Sequence, residues 1–226
     1  MIVKKSVLSP GTPFATPYYV VNSLQPGPVF MVVSGIHGNE RASIRAAKSL
    51  AGRFTRKELL LRKGKLIIVP LVNQKAYRKC IRGVPDLNRT FPGSAKSRAS
   101  HPLAAALFEL ARRYHPSWYL DLHEANGLSQ KNRKRVGQTL IISPGSKAAP
   151  VARQIVKRMN ESISVPAYSF NIHLRERSGT SRMAMQRILG ARAVTVETCW
   201  SLSFPLRVRY QTEIVVHFLR AAGLTH

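Results

Sequence analysis

Short apolar segments that alternate with amphipathic segments are the feature that most constrains the fold of this chain. Aliphatic, aromatic or β-branched runs predict buried strands at residues 29–33, 66–70, 118–122, 138–142 and 193–197. Amphipathic patterns predict helices at residues 40–54, 101–114, 148–159, 181–189 and 206–222. Residues 73–100 look irregular. The alternation favours an α/β fold, with a mixed, mostly parallel central sheet flanked by helices, in a single domain over residues 1–226.

Side chains that bind metals follow three of these predicted strands. His37 lies just past the first strand, His123 comes directly after the strand at 118–122, and Glu197 ends the strand at 193–197. Ligands of such sheets bind at the carboxyl ends of the strands, so we expect these side chains to meet at one edge. Glu40 lies three residues after His37, in the first turn of the predicted helix, which places both side chains on the same side of that turn.

The residue types favour a hydrolytic zinc site. Such sites use three His or carboxylate ligands and leave one position for water. His37, Glu40 and His123 match that set, and we expect one zinc ion per chain. Glu197 would take a proton from the water and pass it to the leaving amine. Taken singly, each histidine is better explained as a loop or strand-end residue, and only their joint position favours the metal site.

Acidic residues are scarce in this chain, which has 10 Asp plus Glu against 36 Lys plus Arg. Half of the acids nevertheless fall in or beside the candidate site segments. They are Glu40, Asp86, Asp121, Glu124 and Glu197. A chain with so few acids has little reason to cluster them unless a cation is held there.

Four motifs, in this order, resemble those of the succinylglutamate desuccinylase/aspartoacylase family of the zinc carboxypeptidase clan. Residues 34–40 resemble its first zinc motif and 86–93 its Asp-Leu-Asn-Arg substrate motif. Residues 121–123 resemble its third-ligand motif and 194–197 the strand that carries the catalytic glutamate. The resemblance implies a zinc carboxypeptidase-like fold. Aspartoacylases carry a further C-terminal β domain, which this chain is expected to lack, so we expect a more open site.

The resemblance also implies roles for five further residues. Asn88 and Arg89 would bind a carboxylate of the substrate, for which the planar guanidinium is well suited. Asp86 would orient the first zinc-ligating histidine by accepting its free ring N–H. Arg82 would stabilise the developing oxyanion. Arg182 would bind a second substrate carboxylate. In a chain so rich in arginine, a solvated surface position remains an alternative for Arg82 and Arg182.

The positive charge of the chain bears on its partners. A net charge of +26 attracts polyanions, although charge alone gives only salt-sensitive, non-specific binding. The basic segment at residues 131–135 is expected near the mouth of the site, where it would attract small anionic or carboxylate-bearing substrates. No basic and aromatic residues interleave in a pattern suited to stacking bases. With no apolar run of membrane-spanning length, no signal peptide and only two cysteines, we expect a cytoplasmic protein without a membrane partner.

Three functions therefore stay open from the sequence. The leading one is a zinc amidohydrolase that removes an acyl group from an amino acid or a related carboxylate-bearing amide. The alternative is a metallocarboxypeptidase that acts on peptides or on acidic or cell-wall polymers. The third is a non-catalytic anion-binding protein, against which Glu197 argues because such a protein needs no base. The sequence identifies neither the substrate nor the oligomeric state.

Overall fold

The computed structural model describes all 226 residues, and its eight strands lie in one sheet. The strands are β1 (Ile2–Leu8), β2 (Thr16–Asn22), β3 (Val29–Ser34), β4 (Lys65–Val69), β5 (Trp118–Ala125), β6 (Thr139–Ile142), β7 (Asn171–Leu174) and β8 (Arg192–Cys199). The helices are α1 (Arg41–Thr55), α2 (Gln74–Arg78), α3 (Pro102–Tyr114), α4 (Ala149–Glu161), α5 (Ser181–Leu189) and α6 (Phe204–Ala221). No helix is both long enough and apolar enough to cross a membrane.

The strand order β1-β2-β4-β3-β5-β8-β6-β7 places a parallel block, β4-β3-β5-β8, at the centre. β1 and β2 extend one side in antiparallel fashion. On the other side β6 runs antiparallel to β8, and β7 runs parallel to β6. This confirms the mixed, mostly parallel sheet flanked by helices that the sequence predicts. The carboxyl ends of β3, β5 and β8 consequently lie side by side at one edge of the sheet.

Helices cover both faces of the sheet. One apolar cluster packs α1, α4 and α6 against the face that carries Phe30 and Val32. A second cluster packs α3 and α5 against the face that carries Met31 and Val33. Alternate residues of β3 therefore enter opposite cores, which explains why this strand is a continuous apolar run rather than an alternating one.

The structure adds elements that the sequence analysis did not predict. The antiparallel pair β1–β2 lies at the edge of the sheet, where Lys4 and Lys5 interrupt the apolar pattern of β1. The Tyr-Tyr-Val-Val run of β2, residues 18–21, is a β-forming signal that could have been recognised. The region 73–100, expected to be irregular, contains the short helix α2 and a 3-10 turn at Leu87–Arg89. β5 and β8 each extend beyond the predicted strand.

Candidate active site

Three of the predicted ligands converge at the carboxyl edge of the sheet. His37 lies in the loop after β3, Glu40 immediately precedes α1, and His123 lies within β5. His37 Nδ1 is 2.7 Å from Glu40 Oε1, and His123 Nδ1 is 2.8 Å from Glu40 Oε2. The two Nδ1 atoms are 3.1 Å apart. All three side chains are buried, at 1–2% exposure.

The arrangement of these donor atoms fits a divalent cation. Each of the three residues offers one ligand atom, and these atoms lie within 4.8 Å of one another. Zinc bonded at about 2.0–2.2 Å holds tetrahedral ligand atoms roughly 3.3 Å apart, so small side-chain rotations would suffice. Two imidazole nitrogens lie close to each other and to a carboxylate, and a shared cation would satisfy all three. His37, Glu40 and His123 therefore suit a zinc ion in both chemistry and spacing.

The far ring nitrogens of both histidines are held by carboxylates. His37 Nε2 lies 2.9 Å from Asp86 Oδ1, and His123 Nε2 lies 2.9 Å from Asp121 Oδ2. A proton on each Nε2 leaves both Nδ1 lone pairs facing the common centre, as metal-binding histidines require. Asp121 was not assigned a role from the sequence. Its two-residue offset from His123 on a strand, which places both side chains on the same face, could have indicated one.

The electrostatics of this cluster favour a bound positive charge. Burial opposes ionisation of Glu40, but the two imidazoles outweigh it and lower the pKa of Glu40 to about 2. Burial likewise opposes protonation of His123, but Asp121 and Glu40 outweigh it and raise the pKa of His123 well above its ordinary value. The carboxylates that favour a proton on His123 would attract a metal ion in its place.

Glu197 faces the same cavity from the neighbouring strand. It is in register with His123 across the parallel β5–β8 pair, so the two side chains lie on the same face of the sheet. The pairing continues to Ala125 and Cys199, so neither His123 nor Glu197 ends its strand, contrary to the sequence prediction. Glu197 Oε2 is buried without a hydrogen-bond partner. Burial raises the pKa of Glu197 to about 8, against the opposing effect of His123. A half-buried carboxyl group whose inner oxygen has no partner, beside a candidate metal site, is typical of a functional group.

The cavity has a volume of about 320 Å³ and is strongly polar, since only four of its 18 lining residues are hydrophobic. Its cationic lining consists of five arginines. They are Arg82, Arg89, Arg175, Arg177 and Arg182. The carboxylates in the lining are Glu40, Glu124 and Glu197, and they lie in or next to the metal cluster. One end of the cavity therefore carries the candidate metal ligands, and its wall is rich in guanidinium groups.

Arg82 and Arg89 lie on either side of Asp86. Arg82 Nε lies 3.1 Å from Asp86 Oδ2, and its Nη1 is 3.7 Å from Glu40 Oε1. Arg89 is less tightly paired, with Nη2 at 3.9 Å from the same Asp86 oxygen. Both guanidinium groups remain partly exposed in the cavity, at 46% and 31%. Both are therefore accessible to a ligand.

Asn88 connects the substrate motif to the rest of the site. Its backbone N–H donates to Asp86 Oδ1 at 2.9 Å, and its side-chain Oδ1 accepts from the backbone N–H of Ser181 at 2.9 Å. Its Nδ2 lies 3.3 Å from His123 Nε2. Asn88 is buried, and its hydrogen bond with Ser181 holds the start of α5 against the 3-10 turn.

Arg182 lines the cavity but is largely engaged by the protein. It is 3% exposed; its Nη1 donates to Ser143 Oγ at 2.8 Å, and its Nη2 donates to the carbonyl oxygen of Arg175. No carboxylate of the protein pairs with it, and burial lowers its pKa to about 10. If Arg182 binds a second substrate carboxylate, as predicted, its guanidinium does so while it also donates to Ser143 and to the Arg175 carbonyl.

Arg175 and Arg177 are cavity residues that the sequence analysis missed. Both lie in the segment between β7 and α5, are exposed, and pair with no carboxylate. Glu176, between them, faces away and pairs with Arg187 at 2.8 Å. The Arg-x-Arg spacing in an extended segment, which directs alternate side chains to the same side, was the available signal. Their position depends on hydrogen bonds that fix the segment, such as that from Thr180 Oγ1 to the Arg177 carbonyl (2.9 Å).

The basic segment at residues 131–135 emerges from the wall of the cavity. The residues at the base of this loop are joined by a bridge between Leu128 and Gly137, and Asn126 and Val136 line the cavity. Residues 131–135 themselves are exposed. Their charge lies outside the cavity and close to its entrance.

The sequence of this chain matches the model of a known protein family. The family model for the succinylglutamate desuccinylase/aspartoacylase catalytic domain matches residues 26–205, which include every residue of the site. The chain belongs to this family. Members of the succinylglutamate desuccinylase/aspartoacylase family are hydrolases that act on amide or peptide bonds, and the family in general is zinc-dependent.

Solved structures of similar fold come from several bacteria. Csd4 of Helicobacter pylori, a D,L-carboxypeptidase in its mDAP-bound form, shares 19% identity over 91% of this chain and 54% of its own, with a TM-score of 0.70. A succinylglutamate desuccinylase/aspartoacylase from Rhodobacter sphaeroides shares 20% sequence identity, and the match covers 94% of this chain and 60% of that protein, with a TM-score of 0.69. The product-bound ectoine utilisation protein EutE (DoeB) of Ruegeria pomeroyi shares 21% sequence identity, and the match covers 93% of this chain and 62% of that protein, with a TM-score of 0.67.

The extent of these matches limits what they show. At 19–21% identity they establish the fold. The chain spans between 54% and 62% of the length of these three proteins. No curated protein sequence gives a significant match.

Proposed function

We propose that this chain provides the catalytic site of a zinc-dependent hydrolase that cleaves the amide bond of an N-acyl amino acid or a related carboxylate-bearing substrate. One observation carries the proposal. His37, Glu40 and His123 converge on one point, while the unpartnered carboxyl group of Glu197 faces the same cavity. A structural role alone does not require a carboxyl group with a buried, unpaired oxygen next to three side chains that can bind a metal.

The side chains divide the reaction between them. Zinc, when held by His37, Glu40 and His123, supplies Lewis-acid chemistry that polarises a carbonyl group and makes water more acidic. A cation held beside Glu197 would favour its ionised form, in opposition to the effect of burial. Ionised Glu197 takes the proton from the attacking water and returns it to the leaving amine when the C–N bond breaks, so that no net proton is consumed in the transfer. The partly exposed guanidinium of Arg82 donates to the carbonyl oxygen as negative charge develops there.

The guanidinium-rich wall supports an anionic substrate. Burial lowers the pKa of Arg89 and, although Asp86 opposes this, nearby arginines lower it further. Arg175 and Arg177 add positive charge that no carboxylate of the protein pairs, which favours a ligand that brings negative charge. Asn88 and Arg89 would pair with the first carboxylate, because the guanidinium binds a carboxylate through two parallel hydrogen bonds. Arg175 and Arg177 would bind any further anionic group.

A carboxypeptidase activity is the second candidate. The same ligands, base and carboxylate-binding arginine would serve to remove the C-terminal residue of a peptide. The likeness of fold to Csd4, described as a D,L-carboxypeptidase, supports considering it. The third possibility, a non-catalytic anion-binding protein, does not explain why Glu197 Oε2 is buried without a hydrogen-bond partner.

A direct comparison of substrates tests the proposed reaction. Zinc-loaded protein is incubated with a mixed set of N-acyl amino acids and, separately, with short peptides, and released amines are measured. We expect release from N-acyl amino acids that carry a free carboxylate. Release only of C-terminal residues from peptides would support the carboxypeptidase instead, and no release from either set would contradict an amide hydrolase.

Replacing Arg89 by Ala is expected to weaken binding of carboxylate-bearing substrates by about tenfold or more, because a charge-assisted pair contributes roughly 1.5–3 kcal/mol. The effect should appear mainly in KM, measured by steady-state kinetics. The matched control is Arg112→Ala, because Arg112 is exposed and pairs only with Glu109. An unchanged KM in the Arg89 variant would remove this residue from carboxylate binding.

Because Arg175 and Arg177 line the cavity, we expect the protein to prefer substrates that carry a second negative charge. The zinc-loaded variant E197Q, which is expected to keep its zinc without turnover, should bind N-acetylglutamate about tenfold more tightly than the isosteric N-acetylglutamine, as measured by titration calorimetry. Adding R175Q/R177Q to this variant should remove the preference while N-acetylglutamine still binds. Adding K131Q/K134Q instead, which removes the same charge from the exposed loop, should leave the preference intact. A preference that survives in R175Q/R177Q would contradict the assignment.

A further inference from the structure

Glu124, the residue after His123 in β5, is a buried carboxylate with no part in the chemistry proposed above. Its side chain is inaccessible to solvent. Its Oε2 accepts a hydrogen bond from the backbone N–H of Ala42 at 2.7 Å, and its Oε1 pairs with Arg207 near the start of α6. Glu124 lines the cavity, but both of its oxygens are engaged by the protein, so it is not available to take a proton or bind substrate.

The N-terminus of α1 explains why an acceptor is needed at this point. The first N–H groups of a helix have no partner within the helix and favour a nearby negative charge. Glu40 occupies the position before α1 but makes no side-chain cap, because its oxygens face His37 and His123. The first turn of α1 contains no acidic residue. Glu124 therefore provides from β5 the acceptor that a residue at the helix start would normally supply.

We propose that Glu124 is a positioning residue for the metal site, an inference that rests on the site proposed above. By capping α1, it leaves both carboxylate oxygens of Glu40 to the metal. It also ties the start of α1, two residues after Glu40, to the strand position next to His123. This link fixes the separation between ligands that come from distant parts of the sequence. Without Glu124, the carboxylate of Glu40 is free to turn back and cap its own helix, away from the metal.

Zinc affinity, measured by competition with a chromogenic chelator, tests the proposal independently of catalysis. In the variant E124A we expect the affinity to fall by about 10- to 100-fold, the usual effect of losing a residue that orients metal ligands. In E124Q the side-chain carbonyl still accepts from the N–H of Ala42, so part of the affinity should return. The matched control is E213Q, which removes an exposed carboxylate of α6 paired with Arg209 and should leave the affinity unchanged.

The outcomes separate a positioning role from a purely structural one. A structural role lowers the free energy of unfolding of the metal-free protein but leaves the affinity of the folded protein intact. Folded E124A with wild-type zinc affinity would overturn the proposal. If E124A does not fold, E124D replaces it: its shorter side chain keeps the charge but cannot reach both partners. We expect about a tenfold loss in E124D, and wild-type affinity there would equally overturn the proposal. Wild-type protein that binds no zinc would overturn the metal site itself, and zinc binding without hydrolysis would affect only the proposed reaction.

Discussion

Replacing Glu197 by Gln is expected to reduce kcat by a thousandfold or more while zinc stays bound. General acid–base catalysis contributes about 10²–10⁴ in rate, and an amide cannot accept the proton of the attacking water. The substitution keeps the shape of the side chain, whose buried Oε2 makes no hydrogen bond, so the fold should tolerate it. Turnover and zinc content are measured on the same preparation.

The control for this variant is Glu161→Gln. Glu161 lies at the exposed end of α4, outside the cavity and without a salt bridge, so the same chemical change there should leave turnover unaffected. Glu197→Gln protein that keeps its zinc and still hydrolyses substrate at the wild-type rate would remove Glu197 from the role of base. Loss of zinc together with activity would instead point to a role in metal binding.

Replacing His123 by Ala is expected to weaken zinc binding by more than a hundredfold, beyond the roughly 10- to 100-fold loss typical of residues that only orient a ligand. The substitution removes one of three proposed ligands and leaves Glu40 and Asp121 as buried carboxylates without their shared imidazole. Activity should fall in parallel with bound zinc. The measurement is competition for zinc against a chromogenic chelator, combined with turnover at a fixed zinc concentration.

His115→Asn is the matched control for the imidazole. His115 is exposed at the end of α3, before the amino end of β5, and therefore at the opposite edge of the sheet from His123. Asn tolerates its positive φ of 45°. This variant should bind zinc as the wild type does. Equal loss of zinc in both variants would show that the binding is not specific to the proposed site.

The central sheet and the convergence of His37, Glu40 and His123 could be predicted because their signals are local. Continuous apolar runs identify strands buried on both faces, and side chains that follow parallel strands meet at one edge. Glu40 was expected in the first turn of α1 but occupies the position before it, with φ −87° and ψ 67°. That conformation is not helical, and it turns the carboxylate towards the two histidines instead of along the helix.

The guanidinium-rich wall could not be predicted in full because it depends on contacts between distant segments. The backbone N–H of Ser181 donates to Asn88, and that of Phe91 donates to the carbonyl of Gly179, which joins the start of α5 to the substrate motif. These contacts place Arg175 and Arg177 in the cavity. The Arg-x-Arg spacing indicates that both side chains lie on the same side of their segment, but not that this side faces the cavity. The engagement of Arg182 by Ser143 likewise requires the folded structure.

The metal content of the purified protein is the most direct measure of whether His37, Glu40 and His123 hold a zinc ion. After zinc reconstitution and removal of free metal, elemental analysis should find about one zinc per chain. X-ray absorption should show two imidazole nitrogens and a carboxylate oxygen around it, and His123→Ala should lose that signal. Wild-type protein without bound zinc after reconstitution, or with zinc surrounded by other ligands, would contradict the account.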